Sequence, residues 1–186
     1  MKIVNISEWK AFQIGGENGL FDVVKGKRLT RANMRDGDIN FIGSSAENNG
    51  VTNHISNCDN LHPGNLITVA YNGSVGESFY QENEFVASDD VNVLYPKFTL
   101  NKYIGLFLCP ILRSVGKNYV FIDKWKKEDM EKDFIYLPVT DDENPDWKYM
   151  ETYMKNLESN VKKNIDEIQT ESNGKTKKYN ITEWKE

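Results

Sequence analysis

The sequence predicts an α+β fold, a mixed β-rich body followed by one long C-terminal helix of coiled-coil type. Three observations carry this. Over the first 143 residues, short β-rich segments bounded by Gly, Pro and Asn outnumber helical patterns but alternate with them. From Asn144 to Gln169, large apolar residues recur at alternating spacings of three and four. Near the end, Asn180-Ile181-Thr182-Glu183-Trp184-Lys185 repeats the early phrase Asn5-Ile6-Ser7-Glu8-Trp9-Lys10 in five of six positions, 175 residues away. The expected division is a body over 1–143, a helix over 144–169, and a segment over 170–186 that links to and opens a second repeat unit.

In order, Ser7 to Phe12 is short and amphipathic and fits one helical turn or an edge strand. Leu20 to Val24 is an apolar run that leads into a basic segment from Lys25. Gly37-Asp38 reads as a turn and Ile39 to Gly43 as a strand, which ends in the polar loop Ser44 to Gly50. Hydroxyls and amides on a scaffolded turn make that loop a candidate for function. Leu66 to Tyr71 and Ser74 to Tyr80 predict a hairpin about Asn72-Gly73, the favoured pair for a two-residue type I′ turn, with Gly76 at a bulge or close approach. Phe85 to Ala87 and Val91 to Tyr95 are further strands around Ser88-Asp89-Asp90. Leu100 to Val115 is a buried helix with Asn101 near its start and Gly116 after its end; Pro110 inside it predicts a kink or two pieces.

Lys124 to Lys132 reads as a short charged helix and Phe134 to Pro138 as a buried strand. Asn144 is the expected N-cap of the last helix, with Pro145 at the first helical position, where a missing N–H costs nothing. Its seam, Trp147, Met150, Met154, Leu157, Val161, Ile165 and Ile168, suits either a partner helix or the body of its own chain. At 1.5 Å per residue the rod is on the order of 35 Å long. Thr170 to Lys178 is polar and reads as a flexible linker.

Composition narrows the function. No apolar run approaches the roughly 18 residues of a membrane span, and no signal peptide is evident, so a cytoplasmic protein is expected. Cys58 and Cys109 lack a CxxC pairing and are expected as free thiols. The net charge of −5 argues against nucleic-acid binding by bulk charge alone. The charge is uneven, however. Lys25, Lys27, Arg28, Arg31 and Arg35 form one basic group and Lys117, Lys124, Lys126 and Lys127 another, which leaves a basic face possible.

Catalytic patterns are weak. His54, Cys58 and His62 have metal-ligand chemistry, but their neighbours are loop formers and no fourth ligand is evident. Gly26-Lys27-Arg28-Leu29-Thr30 lacks the leading glycine and the Ser or Thr of a phosphate loop. Asn144-Pro145-Asp146-Trp147 matches three of four positions of an amino-methyltransferase loop, without the glycine-rich cofactor loop of that class. No Ser/His/Asp or Cys/His spacing is present, and the residues read as a non-catalytic binding domain with no metal and no cofactor of its own.

One resemblance joins these pieces. Lys25-Gly26-Lys27-Arg28, Gly37-Asp38-Ile39, Phe41-Ile42-Gly43-Ser44-Ser45, Asn49-Gly50-Val51, Gly64-Asn65-Leu66-Ile67-Thr68-Val69, Asn72-Gly73-Ser74-Val75-Gly76 and Asp89-Asp90-Val91 follow in an order that resembles the target recognition domain of specificity (S) subunits. These serve Type I restriction-modification systems and related Type IIG and IIB enzymes. Ile135-Tyr136-Leu137-Pro138 and the stretch from Pro145 to Leu157 are similar to the same family.

The resemblance implies sequence-specific recognition of half of a split double-stranded DNA site. It also implies a spacer and dimerisation helix that pairs with a second S half, from the same chain or another copy. Catalysis is expected on separate methyltransferase (M) and restriction (R) subunits, with S-adenosylmethionine on M. Lys27, Arg28, Arg31 and Lys117 are the expected phosphate contacts. Ser44, Ser45, Asn48, Asn49, Asn72 and Ser74 have the donor and acceptor types that read base edges. Two alternatives share the pattern: the recognition region of a fused Type IIG methyltransferase-nuclease, and a phage or plasmid decoy for M subunits.

Overall fold

Backbone pairing sorts the strands into three sheets. A computed structural model describes residues 6–57, 59–119 and 122–176, with backbone alone over 171–176. The first four-stranded sheet is antiparallel and orders β2 (Phe21–Lys25), β9 (Val91–Pro96), β6 (Leu66–Ala70) and β7 (Ser78–Gln81). The second orders β4 (Val51–Ile55), β3 (Asp36–Ile42), β8 (Phe85–Ala87) and β5 (Leu61–His62), with β3 and β8 parallel. A small sheet pairs β1 (Lys10–Gln13) with β10 (Phe134–Leu137). The helices are α1 (Lys102–Gly116), the single turn α2 (Lys127–Met130) and α3 (Trp147–Thr176).

Strand β6 is buried along its length because both faces are covered. Ile67 and Val69 join the main core, while Leu66 joins Ile42, Phe85, Ala87, Val91 and Val93 in a second cluster. The period of two in a strand assigns alternate residues to opposite faces. Helix α1 lays Ile104, Phe107, Leu108 and Leu112 on the main core, each fully buried side chain stabilising by about 1.5–3 kcal/mol. Asn101 caps it, its side chain accepting from the N–H groups of Tyr103 and Ile104, both at 3.0 Å.

Several expectations change. Gly37 and Asp38 lie inside β3, where a register shift between Asp36 and Ile39 takes up the extra residues as a bulge rather than a turn. The β6–β7 hairpin forms, but its loop runs over 71–77. Positive φ occurs at Gly73 (63°) and Gly76 (86°) and not at Asn72, so the turn is not type I′. Pro110 is exposed and α1 continues through it as one helix, since Phe107 and Leu112 on either side share one core. Pro145 forms a bridge with Val139 instead of starting a helix. The cap of α3 is Asp146, whose carboxylate accepts from the Tyr149 N–H at 2.8 Å.

Helix α3 also continues beyond Gln169 to Thr176, where a linker was expected. Residues 177–186, with the second copy of the repeated phrase, lie outside the described residues, as does Cys58. Three seam residues belong to the chain's own body. Met150 is wholly buried, Met154 packs half-buried on the main core, and the Trp147 ring stacks on Phe98, with centroids 3.9 Å apart. Among the described residues, no helix is long and apolar enough to cross a membrane. Cys109 is a free thiol that burial pushes up to about 12.

Candidate nucleic-acid interface

The basic segment after β2 is fastened by its own backbone. Gly26 donates to Val91 O at 2.9 Å and Lys27 to Ala87 O at 3.0 Å. A Cβ on Gly26 would sit 2.2 Å from Ser88 O, so only glycine lets the segment lie this close to the β8–β9 turn. Arg28 then reaches Asp89 at 3.5 Å. From the other side, Tyr71 N–H donates to Asp90 O at 3.1 Å and Asn72 Nδ2 to Asp90 Oδ1 at 2.8 Å. Ser44 Oγ donates to Asn72 O and accepts from Ser74 N–H. Four loops, 25–28, 43–45, 71–74 and 88–90, thus meet at one rim shared by the two larger sheets.

Lys117 reaches the same region because α1 ends against loop 71–77. A Cβ on Gly116 would fall 2.3 Å from Gly76 Cα, so paired glycines allow two backbones to touch. Trp125 brings a further basic stretch. It is wholly buried, its N–H donates to Tyr71 O at 3.1 Å, and its indole Nε1 donates to Asp133 Oδ2 at 2.7 Å. Tyr119 OH donates to that same oxygen at 2.8 Å; burial first, and then Asp133, push its phenol up to about 12.

Of the residues expected to contact DNA, Lys27, Arg28, Ser44, Asn72, Ser74 and Lys117 gather at or beside the rim. Ser45 accepts from Glu47 N–H in the adjoining loop, and Asn48 donates to Val51 O. Asn49 is engaged otherwise: its side-chain Nδ2 donates to Tyr80 O at 3.0 Å, and its backbone carbonyl accepts from Gln81 Nε2 at 3.0 Å. Arg31 stands in the short turn Arg31–Asn33, which Asn57 ties to the β3–β4 hairpin. The two histidines with metal-ligand chemistry lie apart, His54 on β4 and His62 on β5 at opposite edges of the second sheet, and Cys58 lies outside the described residues. No group of three or more metal-ligating side chains occurs among the described residues.

The family model described as the Type I restriction modification DNA specificity domain matches residues 6–170. The chain belongs to this family. The specificity subunit S.BcgI of a Type II restriction enzyme from Heyndrickxia coagulans is 36% identical over 154 residues, 82% of this chain and 44% of that protein. A putative Type I specificity subunit from Mycoplasma pneumoniae is 31% identical over 114 residues, 60% of this chain and 45% of that one. The chain therefore spans a little under half the length of these curated relatives. Among solved structures, the S subunit of a Type I restriction-modification system from M. genitalium matches with TM-score 0.58 at 14% identity. That match covers 91% of this chain and 43% of the other. The HsdS subunit from Thermoanaerobacter tengcongensis matches with TM-score 0.56 at 14% identity, over 86% and 39%. These two likenesses concern the fold.

In this specificity domain, sequence reasoning missed the residues that hold the rim together, Tyr71, Asp90 and Trp125. The available signal was Trp125 itself, one large aromatic set among Lys124, Lys126 and Lys127. His62 was missed as a structural residue. It is buried, stacks on Phe85 with centroids 5.2 Å apart, and has Nδ1 2.7 Å from Tyr95 OH. Burial first, and then Lys27, lower its pKa.

Proposed function

We propose that this chain is a non-catalytic, sequence-specific DNA-recognition unit that reads one half of a bipartite site. The observation that carries the reading is the meeting of four loops at one rim, in a chain of the specificity family. Lys27, Arg28 and Lys117 would position the phosphate backbone, while Ser45, Asn48 and Ser74 would face base edges. Ser44, Asn49 and Asn72, already engaged within the fold, would shape the loops. Arg31 would contact DNA only where the duplex passes the β3–β4 hairpin.

Methylation and cleavage would belong to M and R partners in the cytoplasm, with S-adenosylmethionine on M. The outer half of α3 would act as spacer and pairing helix toward a second S half. Val161, Ile165 and Ile168 are 49%, 47% and 66% exposed, and Leu157 and Met154 line a groove beside them. This division explains why the seam changes character along the helix.

The test is co-expression with the cognate M subunit, followed by mapping of methylated bases. Expected is methylation at one bipartite motif, lost when Lys27 and Arg28 are both replaced by Ala. Methylation that the M subunit performs equally well without this chain would overturn the reading.

A further inference from the structure

Beside the rim, and outside the expected contacts, lies a polar cleft of about 260 Å³ lined by Lys25, Tyr71, Asn92, Lys124, Lys126 and Lys127. Four lysines line it with one carboxylate, Glu128, while Asp89 and Asp90 act on Lys25 from the neighbouring turn. Lys127 pairs with Glu131 at 3.5 Å, whereas Lys25, Lys124 and Lys126 form no ion pair among the described residues. The lining therefore carries a surplus of positive charge, which favours an anion.

The cleft is built rather than incidental. Trp125, buried and bonded at both of its N–H groups, anchors the segment so that Lys124 and Lys126 emerge on either side of a fixed point. Lys124 takes φ of 53°, a left-handed conformation uncommon for a residue with a Cβ. Lys25 Nζ lies over the Tyr71 ring, 5.1 Å from its centroid. At the lining, Asn92 is wholly buried, its Oδ1 has no hydrogen-bond partner, and its Nδ2 has only the Met130 sulfur at 3.9 Å. Such an amide, in either flip, leaves hydrogen-bonding capacity unused.

We infer that this cleft is a phosphate-binding site, separate from the contacts at Lys27, Arg28 and Lys117. Its phosphate would come from the DNA backbone as it passes Tyr71 toward Asn72, or from a free nucleotide. The inference rests on the proposed DNA reading only for the first source.

Lys124→Ala/Lys126→Ala is compared with wild type and with the equal-charge control Lys148→Ala/Lys163→Ala on α3. Near-ultraviolet dichroism verifies the packing of Trp125. Binding is measured by anisotropy on a labelled mixed-sequence duplex across a salt series, and by calorimetry with deoxyadenosine monophosphate and with inorganic phosphate. For the backbone source, the double variant loses about one from the slope of log K against log salt while the control keeps the wild-type slope. Glu128→Gln binds the duplex more tightly.

Equal duplex binding by wild type and double variant, with nucleotide or phosphate binding lost only in the variant, supports the site and assigns it to a free phosphate. Wild type that ignores the duplex but binds nucleotide through these lysines overturns the DNA reading and leaves the cleft standing. Identical behaviour of wild type and double variant in every arm overturns the cleft.

Discussion

Replacing Asp133 by Ala tests whether one carboxylate holds the basic stretch to the body. Asp133 Oδ2 accepts from Trp125 Nε1 at 2.7 Å and from Tyr119 OH at 2.8 Å. Its backbone makes separate bonds, donating to Asp129 O and accepting from Ile14 N–H, so the substitution removes the carboxylate alone. Hydrogen bonds to a charged group contribute about 1.5–3 kcal/mol each. Trp125 has no access to water, so its N–H would remain unpaired, whereas Tyr119 is partly exposed and regains a water bond. The expected loss is about 2–5 kcal/mol, a large share of the roughly 5–15 kcal/mol of a typical domain. Asp133→Asn keeps one acceptor and should lose less. Urea unfolding followed by dichroism reads the difference, and a cycle with Trp125→Phe isolates the shared part. A loss under about 1 kcal/mol for Asp133→Ala would refute the reasoning.

Met150→Ala and Ile168→Asp separate the two halves of α3. The first, at a wholly buried site, should cost about 2–5 kcal/mol in the same unfolding assay, and the second, at a largely exposed one, close to nothing. Ile168→Asp should instead alter self-association or M binding in sedimentation. Gly116→Ala should displace loop 71–77, because its Cβ meets backbone at 2.3 Å, and should lower both melting temperature and duplex affinity. Stability should also fall at both ends of the pH range. His62 has a folded pKa below its usual 6.5, so its contribution is present above that value and is lost as pH falls through and below it; His62→Gln should flatten that limb. Tyr119 has a folded pKa raised from 10.0 to about 12, so its contribution is lost as pH rises between those values, and ultraviolet titration should find its phenol late, beyond the upward shifts that burial gives Tyr80 and Tyr95.

What was legible in the sequence was whatever depended on local pattern. The run around Leu108, with Asn101 ahead of it, gave α1 and its cap, and the β-rich run from Leu66 to Ala70 gave β6. The misreadings come from contacts distant in sequence. Gly37-Asp38 has turn chemistry, yet pairing across to Ile55 holds it in a strand. Asn72-Gly73 has hairpin-turn chemistry, yet Asp90 and Ser44 claim Asn72 and open the loop. Asn144-Pro145 has helix-start chemistry, yet Pro145 pairs with Val139 and leaves Asp146 to cap. At the rim, residue types suggested Ser44 and Asn72, but nothing local could show that Tyr71 and Trp125 tie them to a second lysine group.

The remaining difficulty for DNA binding is the net charge of −5, and its resolution is local. At physiological salt, exposed charges beyond about 8 Å are largely screened, so the acidic run Asp141-Asp142-Glu143 matters little at a rim it does not join. Asp89 matters more. It pairs with Arg28 at 3.5 Å and, with Asp90, helps to hold the Lys25 ammonium above the usual lysine range, behind the larger effect of the Tyr71 hydroxyl. A phosphate arriving at Arg28 must therefore displace a carboxylate. Asp89→Asn removes that competitor but spares the bond from Tyr71 OH, which is made to the backbone oxygen of Asp89. The expected result is tighter binding to mixed-sequence duplex with a steeper salt slope, and poorer discrimination between cognate and unrelated DNA. Weaker binding to all duplexes would show that Asp89 orders the rim rather than restrains its charge.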